Sequence, residues 1–183
     1  METQWQTLKV SERGSVLTAQ LHRPEANNTI NDQLMSELYL IMQQADERDD
    51  INVLVLQGLP EVFCFGADFK GISEQFKGRG SAQTDFTIKS DYMDNLSKLS
   101  EISAVVIAHV RGKVNAGGVG LVSACDLVVA DHTATFSLSE LLFGLLPAQV
   151  MPFLIRRVGF QKAHRMTLLT QAVDATTAHQ WGL

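Results

Sequence analysis

Three short aliphatic runs, NVLVLQG (52–58), SAVVIAHV (103–110) and DLVVA (126–130), recur along the chain with helix-patterned segments between them. An apolar β-branched run of this length, bounded by polar residues or glycine, suits a strand, and the first two have the pattern of strands buried in a covered sheet. Strands that alternate with helices favour an α/β architecture over a helical bundle or a β-sandwich. The 183 residues are enough for one sizeable core.

The flanking segments fill in the pattern. Residues 5–10 and 15–21 predict a hairpin, with Leu17, Ala19 and Leu21 alternating against Val16, Thr18 and Gln20, and with Glu12-Arg13-Gly14 as the turn. Leu34, Leu38, Ile41, Met42 and Ala45 recur at helical spacing behind a cap at Asn31, and that helix is expected to end near the charged run 46–50. FKGRGSAQT (76–84) reads as a loop, residues 86–100 as a helix and GGVGLVSA (117–124) as another. From Gln149 the pattern turns helical, with QVMPFLIRRVG, QKAHRMTLLTQ and a third helix starting near Asp174. The chain stops at Gly182-Leu183 without a polar tail, as a fragment would.

Composition narrows the function. A net charge of -5 argues against non-specific nucleic-acid binding, which needs excess lysine and arginine on one face. The N-terminus lacks a basic segment followed by an apolar core, and the longest apolar stretch, LLFGLLPAQVMPFLI, is broken by Pro147 and Pro152 short of a membrane span. Cys64 and Cys125 lie far apart with no metal-ligand spacing, and Cys64, between Phe63 and Phe65, reads as a core thiol. The five histidines form no HExxH or paired pattern, so no metal is expected. Together these features fit a soluble protein of the reducing cytoplasm.

Three places can carry chemistry. In VFCFGADFKGI the strand-like VFCF gives way at Gly66, and a helix beginning at Ala67-Asp68 would leave its first N–H groups without partners, the Ala67 N–H among them. The plainer reading is a strand-to-helix turn in which Gly66 supplies dihedral freedom and Asp68 caps the helix. In NAGGVG, Ala116 and Gly117 precede another helix start, and amides from two such starts can bind one developing oxyanion. Close packing of helix on sheet explains the same glycines, Gly118 included. The segment is neither a phosphate loop nor a dinucleotide fingerprint. Glu140 follows TFSLS, a strand-like run, with apolar residues around it. Such surroundings disfavour the charged carboxylate and suit it to proton transfer, although Ser139-Glu140 also reads as an ordinary first helical turn.

These segments resemble the crotonase (enoyl-CoA hydratase/isomerase) superfamily. HRPEANNTIND, LPEVFCFGADFKGI, HVRGKVNAGGVGLVSACDLVVADHTATFSLSELLFGLLPA and AHQWGL fall in the family's order and spacing over nearly the whole chain. PEANNTIND, PEVFCFGADF and RGKVNAGG look most like the first hydratase-like dehydratases of polyketide β-branching cassettes, which convert 3-hydroxy-3-methylglutaryl-ACP to 3-methylglutaconyl-ACP.

The resemblance implies a spiral of ββα units in residues 1–145, followed in 146–183 by the start of a C-terminal helical region that is incomplete here. It implies a thioester carbonyl held by the Ala67 and Gly117 amides, with Gly66, Asp68 and Gly118 lining the substrate. It implies no cofactor beyond the phosphopantetheine of an acyl carrier protein or CoA that carries the substrate, an acyl carrier protein as partner, and a homotrimer for the full-length protein. Of the two glutamates that flank substrate in the family's hydratases, one matches Glu140 and the other falls on Gly120. The lone carboxylate leaves the proton for the departing hydroxyl to Glu140 itself, to another residue or to the substrate's own distal carboxylate. Lys70, Lys77, Arg111 and Lys113 are candidates to meet that distal carboxylate. A double-bond isomerase or a decarboxylase of the same fold are alternatives. A further one is a non-catalytic carrier-protein binding module that uses Arg156, Arg157, Lys162 and Arg165.

Overall fold

The computed structural model describes residues 5–67 and 91–183. The chain opens with an antiparallel hairpin of β1 (Leu8–Arg13) and β2 (Val16–Leu21). β1 runs through Glu12 and Arg13, so the reversal falls on Gly14-Ser15 rather than on 12–14. Glu12 is held in the ladder opposite Leu17, and its carboxylate is paired with Arg48 at 2.7 Å.

Helix α1 (Asp32–Glu47) begins where expected, with Asn31 Oδ1 accepting from the Leu34 N–H at 2.9 Å. It buries Leu34, Leu38, Ile41, Met42 and Ala45. The strands β3 (Val53–Gln57), β4 (Val62–Cys64), β5 (Val105–Val110), β6 (Lys113–Asn115), β7 (Leu127–Ala130) and β8 (Thr135–Ser137) are interleaved with helices α2 (Asp91–Leu99) and α3 (Gly117–Ala124).

From β3 to β8, successive strands do not pair with each other. β3, β5 and β7 join the hairpin in a five-stranded sheet of order β1-β2-β3-β5-β7, whereas β4, β6 and β8 form a second sheet that a short strand β9 (Val173–Asp174) completes. Each unit thus hands one strand to each sheet and turns a corner between them, which is the expected spiral of an α/β chain. At the β5–β6 corner Gly112 sits at φ +64°, and a Cβ there would lie 2.1 Å from the Glu61 carbonyl oxygen of the preceding corner. Only glycine meets both conditions.

The strands expected to be buried on both faces are buried on one. In β3, Leu54 and Leu56 are enclosed while their neighbours are half-covered, and in β5, Val106, Ala108 and Val110 are buried while Val105 is exposed. α1 lies against β1, β2 and β3, so one face of the sheet carries the helical cover and the aliphatic residues of the other face stay partly open.

Two polar anchors brace this core. Asn28, fully buried, accepts from the Arg23 N–H (2.7 Å) and donates to the carbonyls of Phe63 (3.0 Å) and Leu21 (3.2 Å), tying the post-hairpin turn to β4. Asp46, at the end of α1, accepts from the Lys98 ammonium and from the Ser103 N–H (2.9 Å), so it clamps the far end of α2.

The C-terminal segment folds as the three expected helices, α4 (Met151–Val158), α5 (Phe160–Leu169) and α6 (Ala175–Trp181), the last capped by Asp174 Oδ1 accepting from the Thr177 N–H at 2.7 Å. α4 packs on α3 through Val150, Leu154 and Val158, and the Arg157 guanidinium donates to the carbonyls of Ser123 (2.9 Å) and Cys125 at the end of α3. Among the described residues no helix is long and apolar enough to cross a membrane.

Candidate active site

The site is built where the second sheet meets α3. β4 ends at Cys64, and the chain turns at Gly66, with φ +85°, into Ala67, which forms a parallel bridge with Ile30. The Gly66 carbonyl is taken by the Ile30 N–H at 2.8 Å. β6 ends at Asn115 and passes through Ala116 into α3. Ala116 holds φ +50° and ψ -121°, a conformation that alanine adopts at a cost of order 1 kcal/mol. That ψ sets the direction of the Gly117 N–H.

The two turns touch. A Cβ on Gly66 would lie 2.7 Å from the Ala116 methyl, 3.2 Å from the Asn115 carbonyl oxygen and 3.4 Å from the Gly117 nitrogen. Neither the Ala67 nor the Gly117 N–H has an acceptor among the described residues. For Gly117 the reason is generic, because a first helical residue has no intrahelical acceptor. Two donors without partners, on turns in van der Waals contact, can serve a single negatively charged oxygen.

Glu140 opens a 3-10 helix, Glu140–Phe143, directly after β8, so the strand-like run stops at Ser137 rather than reaching the carboxylate. The side chain is half-buried, and its Oε2 is enclosed without a hydrogen-bond partner among the described residues. Burial pushes the carboxyl above its ordinary value, partly offset by the backbone amides of Glu140 and Ser139. The result is a carboxylate with unspent capacity to accept a proton.

Asn115 joins this carboxylate to the amide turns. Its Nδ2 donates to Ser139 Oγ at 2.8 Å and to the Phe65 carbonyl at 3.5 Å, while its Oδ1 accepts from Ser137 Oγ at 2.9 Å. A single buried side chain at the end of β6 therefore fixes the end of β4, the end of β8 and the residue before Glu140. Tyr92, near the start of α2, donates its hydroxyl to the Gly117 carbonyl at 2.6 Å. Sequence reading passed over both residues. The Asn immediately before AGG was the one available signal for the first, and nothing marked the second.

The other expected site residues fall out differently. Gly118 is buried, and a Cβ there would meet the Cys64 carbonyl oxygen at 2.5 Å, so glycine at 118 is explained by the seating of α3 on β4. Gly120 is packed between the Tyr92 hydroxyl and Val150. Asp68, Lys70, Lys77 and the 76–84 loop lie outside the described residues, as does the helix expected to begin at Asp68. Arg111 and Lys113 sit at the β5–β6 corner, at the opposite end of β6 from the amide turns.

Cys64 is a buried core thiol whose pKa burial pushes up to about 12. The four cations considered for carrier docking do not form one free patch. Arg157 is committed to the end of α3, and Lys162 donates to the Trp181 carbonyl at 3.4 Å, leaving Arg156 and Arg165 exposed. No group of three or more metal-ligating side chains occurs among the described residues.

Comparison with known proteins gives this geometry a context. The enoyl-CoA hydratase/isomerase family matches residues 11–183. The bacillaene synthase dehydratase PksH of Bacillus subtilis is 54% identical over 180 residues, covering 98% of this chain and 68% of that protein. The crystal structure of the Bacillus subtilis polyketide biosynthesis enoyl-CoA hydratase (pksH) superposes with a TM-score of 0.89 at 53% identity, covering 98% of this chain and 70% of that one. The 2,3-dehydroadipyl-CoA hydratase of Escherichia coli is 32% identical over 177 residues, covering 96% of this chain and 67% of that enzyme. The chain thus spans about two thirds of the length of these relatives. It belongs to the enoyl-CoA hydratase/isomerase, or crotonase, family and is an enzyme of its hydratase–dehydratase, carbon–oxygen lyase type.

Proposed function

We propose that the protein is a dehydratase of polyketide biosynthesis that removes water from 3-hydroxy-3-methylglutaryl-ACP to give 3-methylglutaconyl-ACP. The observation that carries this reading is the enclosed Glu140 carboxyl oxygen, tied through Ser139 and Asn115 to two turns on which, among the described residues, the Ala67 and Gly117 N–H groups have no acceptor and that oxygen no partner. The 54% identity to a dehydratase of bacillaene synthesis supports the reaction class.

In this reading the thioester oxygen lies between the Ala67 and Gly117 N–H groups, beside Gly66. Glu140 takes the proton from the carbon next to the thioester, and the charge that moves onto oxygen is met by the two amides. Each such donor is worth roughly 3–4 kcal/mol in the transition state. Collapse of the enolate then forms the double bond as the Cβ–O bond breaks, and the departing hydroxyl takes up a proton and leaves as water. The protein supplies no cofactor, since the acyl group arrives on the phosphopantetheine of an acyl carrier protein or of CoA. The protein acts as a homotrimer in the cytoplasm, a location that two buried free thiols support.

The site has a single described carboxylate, with Gly120 in place of a second. This also suits a double-bond isomerase, which moves one proton between two carbons. Intact-mass analysis of a 3-hydroxy-3-methylglutaryl-loaded acyl carrier protein incubated with the protein separates the two. Loss of one water is the expected result. An unchanged mass, with migration of the double bond in an unsaturated thioester, would replace dehydratase with isomerase.

A further inference from the structure

Water loss requires a proton for the departing hydroxyl, and Glu140 is already engaged at the carbon next to the thioester. The volume that would hold a side chain at position 120 is not empty. A Cβ built on Gly120 would lie 2.1 Å from the Tyr92 hydroxyl oxygen, and one built on Gly117 would lie 3.3 Å from it. The phenol tip therefore occupies the notch that Gly120 leaves in α3, against the residue that carries one of the two unpartnered amides. Its O–H donates to the Gly117 carbonyl at 2.6 Å. A glycine at 120 and a tyrosine at 92 are mutually dependent, because any side chain at 120 displaces the hydroxyl.

We infer that Tyr92 is the second proton-bearing group of this site and donates its phenolic proton to the departing hydroxyl of a 3-hydroxyacyl thioester. The inference rests on the dehydratase reading above. Burial pushes the Tyr92 hydroxyl well above its ordinary value, and the nearby Cys64 and Glu140 add to the rise. A phenolate does not persist in such a place, so the proton is relayed. Glu140 removes the α-proton and the electron pair moves to the thioester oxygen. The returning pair forms the Cα–Cβ double bond as the Cβ–O bond breaks. The Tyr92 O–H leaves the Gly117 carbonyl and turns to the leaving oxygen, which takes its proton and departs as water, and the phenol regains a proton from the Glu140 carboxylic acid. The balance is one enoyl thioester and one water, with both side chains restored.

The test separates the two half-reactions. α-Proton removal is read as deuterium incorporation from D2O into a saturated acyl thioester, which has no leaving group. Elimination is read as water loss from the 3-hydroxyacyl thioester. Tyr92→Phe is expected to leave deuterium incorporation within about threefold of the unsubstituted protein and to cut water loss about a hundredfold or more. Gly120→Ala, which must push the hydroxyl out of its notch without removing it, is expected to produce the same split. Water loss by Tyr92→Phe within about threefold of the unsubstituted protein overturns the inference. So does an equal fall in both readouts, which would mark Tyr92 as a structural prop for the start of α3. Failure of the unsubstituted protein to release water from any 3-hydroxyacyl thioester overturns the dehydratase reading itself, and this role with it.

Discussion

Glu37 and Glu140 are two carboxylates that the fold takes out of water with opposite results. Glu37 is 4% exposed, and its oxygens accept from the N–H groups of Gln6 and Thr7 (2.8 Å each), the Thr7 hydroxyl (2.6 Å) and the Gln33 amide (2.8 Å). Burial works to raise its pKa, but the donors from Thr7, Gln33 and Gln6 outweigh it and hold the carboxyl below its ordinary value. One oxygen of Glu140 is enclosed with no hydrogen-bond partner among the described residues, and burial raises its pKa. Burial alone does not decide whether a carboxylate stays charged. The supply of donors does, and it turns one glutamate into a fastener and leaves the other ready to take a proton.

The largest effect that would break this contrast is kinetic. Glu140→Gln keeps the shape and removes the base, so deuterium incorporation at the carbon next to the thioester should fall about a thousandfold while the thermal midpoint barely moves. A variant that keeps full turnover would return the chain to a carrier-binding role. Glu37→Gln should do the reverse. It puts an amide nitrogen where four donors converge, and urea unfolding should show a loss of about 2–3 kcal/mol with activity per folded molecule preserved.

A smaller change tests whether the two amide turns act as one unit. Gly66→Ala demands a left-handed alanine at φ +85° and places its methyl 2.7 Å from that of Ala116. The expected cost is about 1–3 kcal/mol in the same urea experiment. Adding Ala116→Gly should recover part of that cost, and strict additivity of the two changes would show the turns to be independent.

The smallest effect is in the pH dependence of stability, where the two glutamates have opposite signs. The folded Glu37 pKa lies below 4.5, so its contribution is complete above 4.5 and is lost as pH falls through the folded value. The folded Glu140 pKa lies above 4.5, so protonation favours the folded state and stability rises as pH falls from that folded value toward 4.5. Denaturant midpoints measured against pH should lose their acid-side slope below 4.5 in Glu37→Gln and their opposing slope above 4.5 in Glu140→Gln. If Glu140 is the base, as proposed, proton abstraction should increase with pH through its raised value, because only the carboxylate form accepts a proton.

Local signals were legible in the sequence. The Asn31 cap, the alternation of Leu17, Ala19 and Leu21, the helix opening at Gly117 and the helix start near Asp174 each depend on neighbours a few residues away. The division of successive strands between two sheets was legible only through the family resemblance. It depends on contacts such as Gly112 against Glu61, which no periodicity encodes. The same distance hid Asn115 and Tyr92, whose partners Ser139 and Gly117 are 24 and 25 residues away. An asparagine at a strand end and a tyrosine in a helix are ordinary until those partners are known. β9 escaped notice because two residues, Val173 and Asp174, carry no pattern of their own, and only the waiting edge of β8 makes them a strand.

The clamp at Asp46 has a consequence some distance away. Hydrogen bonding from Lys98, and then from the Ser103 amide, holds the Asp46 carboxyl down to about 2, so α2 remains pinned at its far end in quite strong acid. Glu140 takes up its proton well before that point is reached. In the proposed mechanism the base at Glu140 is therefore neutralised on acidification before the Asp46 clamp on the helix that carries Tyr92.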